Sequence, residues 1–126
     1  MAPTIEPKDV LQLAVDRADA VNTYWNIFVG VSAAIATFLA SGSALASSTR
    51  IRVLLSLAFV AFACSNLRAI IVLAGLRNVL LDLLPADVPH RSALVKHLSP
   101  ADSRTYVAFH LVLDLAIIGI IWLMPR

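Results

Sequence analysis

From Ala20 to Thr49 the chain runs thirty residues without a charged side chain. A helix needs roughly 20 apolar residues to cross about 30 Å of hydrocarbon, so this run is long enough to span a bilayer. Two more runs share that character. One starts at Ile51, is uncharged from Val53 to Leu67 and resumes after Arg68 through Ala69 to Leu76. The other is Thr105 to Met124, apolar but for a few polar residues, with Asp114 near its middle. Three spans of this length predict an all-α integral membrane protein, a three-helix bundle formed as a single domain over residues 1–126.

Composition agrees. Of 126 residues, 60% are hydrophobic and 14% charged, against about 25% charged in an ordinary soluble domain. A soluble domain of this size would lack polar surface to cover its outside. The basic residues are scattered singly with no interleaved aromatics, which argues against a nucleic-acid surface. Cys64 is the single cysteine, so it forms no disulfide within the chain. It reads as a small packing residue.

A cleavable signal peptide is the rival reading of the first run, because Ala44-Leu45-Ala46 resembles a small-residue cleavage site. Residues 1–26 carry a net charge of −2, where a signal peptide carries positive charge ahead of its apolar run. The run is therefore expected to be retained, with Ser41 to Thr49 as a turn.

Capping chemistry sets the expected boundaries. Pro7 suits a first helical position. The next turns place Leu11, Ala14, Val15, Ala18, Val21 and Trp25 on one stripe opposite Asp9, Gln12, Asp16 and Asp19, which is the spacing of an amphipathic helix. Helix one is expected over about 7–41 and helix two over about 50–84. Each is roughly 50 Å long at 1.5 Å per residue. Both overshoot the bilayer at the same side, where the overhangs can pack as a stalk. Ser99 as N-cap, Pro100 at the first position and Asp102 at the third predict helix three over about 100–124. The segment at about 89–98 reads either as a short helix on the membrane surface or as a solvated loop.

Basic residues set the orientation. Lys8, Arg17, Arg77, Arg91, Lys96 and Arg104 fall on one side, and Arg50, Arg52 and Arg126 on the other. The positive-inside rule puts the N-terminus and the stalk in the cytoplasm and the C-terminus outside, consistent with a bacterial inner membrane.

A charged side chain at bilayer depth costs roughly 2.5 to 3.5 kcal/mol on insertion scales, so Asp114 needs company. His110 lies one helical turn back. By depth, Arg68 on helix two is within reach of Asp114, Asn66 lies half a turn from Arg68, and Asn22 and Asn26 stand at the inner edge of helix one. These six residues predict one polar zone in the inner third of the membrane, a candidate ion or proton pathway. The plain alternative is that the zone only holds the helices in register, since polar pairs between membrane helices contribute about 0.6 to 2 kcal/mol each.

Small residues also mark packing faces. Gly30 and Ala34 form a small-xxx-small pair on helix one, and Ala61, Ser65 and Ala69 form a ridge on helix two. Such residues let backbones approach closely. Three helices cannot fill all these faces among themselves, which predicts a homo-oligomer or docking on a larger membrane complex.

No enzymatic constellation is present in the sequence. His90, His97 and His110 lack metal-ligand spacing, no glycine-rich phosphate loop or nucleophile-base pattern occurs, and no metal or other cofactor is expected. Two readings of function follow. The chain is a self-associating membrane protein whose polar cluster conducts or relays protons or small ions, or it is a noncatalytic accessory or assembly subunit whose cluster is structural.

Overall fold

A computed structural model describes residues 5–125. The described chain forms helices α1 (Pro7–Ala40), α2 (Ala44–Ser47), α3 (Thr49–Asp82), α4 (Arg91–Leu98) and α5 (Ser103–Leu123). Three helical segments are long and apolar enough to cross a membrane: α1, α3, and the stretch from Arg91 to Leu123 that contains α5. Inside hydrocarbon a backbone has no water to bond, and a helix satisfies every amide within its own segment.

Local chemistry explains where the rods begin and end. Pro7 opens α1 after an extended Glu6, and Asp9 lies in its first turn, where a carboxylate suits the positive end of the dipole. At the other end the Ser41 hydroxyl donates to the Phe38 carbonyl at 2.7 Å. Gly42 then takes a left-handed φ of 65°, a turn that side chains with a Cβ resist. The Ser43 hydroxyl accepts from the Ala46 N–H at 3.2 Å and caps the single turn of α2. The expected plain turn over 41–49 is thus a tied, helix-containing connection.

The segment expected near 89–98 is helical as α4, entered through His90 at a left-handed φ of 58°. Helix α5 starts later than the Ser99-Pro100 pattern predicts. Its N-cap is Asp102, extended at ψ 144°, while the Ser99 hydroxyl donates back to the Val95 carbonyl. Ser99 is therefore spent on closing α4, which leaves Pro100 and Ala101 as a linker.

Two apolar clusters hold the rods together. Phe28, Ile35 and Leu39 of α1 meet Phe59 and Ala63 of α3 and Ile121 of α5 in the main one. Val10 and Ala14 of α1 pack with Leu81 and Leu84 at the far end, joined by Val95 and Leu98. Helices α1 and α3 therefore run antiparallel and stay in contact along their length, and α4 folds under their shared end. That second cluster lies where the overhangs of helices one and two are expected to meet.

Outside these clusters large apolar side chains are exposed along all three long helices. Val29, Leu54, Leu57, Val72, Val112, Leu115 and Leu123 all stand exposed. Soluble monomers rarely present apolar surface on this scale, and lipid covers it without cost. The fold is compatible with a small membrane protein.

Candidate functional site

His110 is the organising residue. It projects from α5 into the contact with α1 and α3 and is fully buried. Its ring centroid lies 4.6 Å from Phe28 and 5.5 Å from Trp25, and Phe109 in turn packs edge-on against Trp25. Helix α1 thus contributes an aromatic wall to the site.

Both ring nitrogens have partners within the chain. The Asn66 amide donates from Nδ2 to Nε2 of His110 at 3.3 Å. Nε2 then acts as an acceptor, so the proton of the neutral ring sits on Nδ1. From there it is donated to Asp114 Oδ2 at 2.8 Å. Spacing makes the second contact: residues four apart stand on one face of a helix. Among the described residues no other acidic and basic side chains approach within ion-pairing distance. Asn66 is 3% exposed and comes from α3, so the triad ties α3 to α5 while α1 shields it.

Two acceptor atoms of the triad are enclosed without a partner, Asn66 Oδ1 and Asp114 Oδ1. Turning the Asn66 amide over would let Oδ1 accept from a protonated Nε2.

The other expected members of the polar zone lie elsewhere. Arg68 is exposed and makes no hydrogen bond or ion pair among the described residues, so the expected contact with Asp114 does not form inside one chain. The cause is rotation. Arg68 follows Asn66 by two positions, about 200° around the helix, so if Asn66 faces inward Arg68 must face out. Asn22 and Asn26 are exposed as well. Of the six residues, the structure brings together Asn66, His110 and Asp114. Gly30, Ala34, Ala61 and Ser65 also face outward, and Ala69 is half-buried.

Arg52 is a second buried polar feature, and sequence reasoning missed it. It is 1% exposed. Its Nε donates to the Ala46 carbonyl at 2.9 Å, Nη1 to the carbonyls of Ile121 and Met124 at 2.8 and 3.0 Å, and Nη2 to that of Pro125 at 3.3 Å. These are end-of-helix carbonyls with no intrahelical donor. A cation there also suits the negative end of the α5 dipole. The available signal was Arg52 in the first turn of its own helix, where a cation is disfavoured and needs a reason. Arg77 and Arg91 repeat the device at the opposite end of α3, donating to the carbonyls of Leu98 and Leu84.

No group of three or more metal-ligating side chains forms among the described residues. Comparison with protein families, characterised proteins and solved structures finds no match to this chain. Function must therefore be argued from the triad and the surface around it.

Proposed function

We propose that this chain is a noncatalytic membrane protein that works by assembling with other chains in the bilayer, and that its Asn66–His110–Asp114 triad is internal glue. The observation that carries this reading is the closure of the triad. Both nitrogens of His110 are engaged within the chain, aromatic rings cover it, and Asn22 and Asn26 stand on the exterior. A conduit needs a file of polar groups or water leading away from the titrating centre, and a single copy supplies no such file among the described residues. Assembly is supported by what remains on the outside. Arg68 is exposed on a helix long enough to span, and a charge at that depth calls for a partner.

In this reading the N-terminus and the connection at 83–102 face the cytoplasm, following the distribution of Lys and Arg. An inner bacterial membrane fits that arrangement. Partners are other copies of the chain or a larger integral membrane complex.

A proton relay is the second reading, and the unpartnered Asn66 Oδ1 and Asp114 Oδ1 favour it. They give the triad capacity to take up a proton or water. Replacing Asp114 with Asn separates the two. Structural glue predicts that assembly and abundance in the membrane fall first. A relay predicts an assembled protein that has lost proton flux.

A further inference from the structure

Between α3 and α5 lies an open groove of about 190 Å³, walled by Phe59, Val60, Ala63, Cys64 and Leu115 with Asp114 as its ionisable group. The Asp114 side chain is 20% exposed. A carboxylate offers about four acceptor positions, and one hydrogen bond, from His110, is formed. Oδ1 is enclosed, so the acceptor capacity that remains towards the groove is the second lone pair of Oδ2, set in an apolar surface.

Its complement stands on the same side of the molecule. Val60 and Cys64 line the groove, and Arg68 continues that row at i+4 spacing. Arg68 is exposed and unpaired among the described residues. Depth also matches. Asn66 and His110 are level through their hydrogen bond, which places Arg68 about 3 Å to one side of that level and Asp114 about 6 Å to the other. Because α3 and α5 are antiparallel and Cβ bonds tilt towards each helix's N-terminus, the two side chains lean towards each other's depth. Arg68 is exposed and forms no ion pair with Asp114 within one chain. Ala61 and Ser65, beside it on the outer face, leave room for a second helix to approach.

We propose that a second copy of this chain docks on the α3–α5 face, related by a two-fold axis along the membrane normal, with Arg68 of each copy paired to Asp114 of the other. The proposal rests on the assembly reading above and names its partner. A two-fold contact is self-complementary, so a single interface holds two such pairs. Cys64 sits in this face and is exposed.

That cysteine makes the test direct. The wild-type chain in native membranes is treated with a short bismaleimide, and covalent dimer is measured. The proposal predicts a dimer through Cys64. Arg68→Gln lowers it about three- to thirtyfold, the range expected for one polar contact between membrane helices, and Arg68→Lys restores most of it. Leu115→Trp, on an exposed position at the groove rim, blocks it without touching the triad. A cysteine placed at Ala34 on the outer face of α1, in a Cys64→Ser background, gives none. Efficient crosslinking through Ala34, with dimer unaffected by Arg68→Gln, overturns the proposed face but leaves assembly standing. A chain that is monomeric in nanodiscs prepared directly from the membrane, with no other protein retained, overturns both.

Discussion

Arg52 and Ile121 are 69 residues apart in the chain, yet a guanidinium nitrogen of the first donates to the main-chain carbonyl of the second at 2.8 Å. The same side chain also closes on Ala46, Met124 and Pro125. One residue thus pins the α2 connection, the start of α3 and the end of α5. Hydrogen bonds from a charged donor contribute about 1.5 to 3 kcal/mol. Arg52→Ala is expected to lower unfolding stability in nanodiscs by at least that much. Arg52→Lys recovers little, because an ammonium cannot reproduce the planar fork. Stability of the alanine variant equal to wild type would show that water serves these carbonyls as well as the guanidinium does.

His110 and Asp114 should be coupled energetically. A double-mutant cycle with His110→Phe and Asp114→Leu, read by unfolding in nanodiscs, is expected to give about 0.5 to 1.5 kcal/mol of interaction, the net range for one intramolecular hydrogen bond. Phenylalanine keeps the ring volume among Phe28 and Trp25, so the cycle isolates the polar term. Additive losses would mean that the 2.8 Å contact contributes nothing.

Solid-state NMR of ring nitrogens in bilayers reads the triad's proton. With Asn66 donating to Nε2, the neutral ring carries its proton on Nδ1. Asn66→Leu removes the donor and is expected to shift the Nε2 resonance while leaving Nδ1 protonated. A wild-type ring protonated only on Nε2 contradicts the arrangement.

Leu81 is 2% exposed in the second apolar cluster, with Val10, Ala14 and Leu84. Truncating a buried leucine costs about 2 to 5 kcal/mol. Leu81→Ala should therefore raise amide exchange in the first turns of α1 and the last turns of α3, while amides around Phe59 and Ala63 stay protected. Uniform deprotection would show that the two clusters unfold as one unit.

Orientation is open to single-cysteine labelling. In a Cys64→Ser background, Thr49→Cys at the start of α3 is expected to react with an impermeant maleimide added outside intact cells, and Ser92→Cys in α4 only after lysis. The reverse pattern inverts the proposed topology.

The rods were legible because their signals are local. Length, charge gaps, Pro7 and the stripe from Leu11 to Trp25 all report on backbone and solvent within a few turns. The His110–Asp114 contact was legible for the same reason, since four-residue spacing fixes a shared face. Rotation of α3 was not. That helix is apolar nearly all round, and such a helix carries little pattern to say which side faces protein. Asn66 and Arg68 competed for the inward position, and packing against Phe28 and Ile121 decided it. Arg52 was hidden because its partners are backbone carbonyls 69 to 73 residues away, and a carbonyl leaves no mark in a sequence. The α5 start was misplaced because Ser99 satisfies two capping patterns, and only the fold shows that it closes α4.

The central claim is that the triad binds helices together and conducts nothing. Purified protein in liposomes carrying an entrapped pH dye, under an imposed potassium-diffusion potential, tests this most directly. The account predicts proton entry equal to that of empty liposomes. Entry well above that level, abolished by Asp114→Asn in a variant that still assembles, would contradict it.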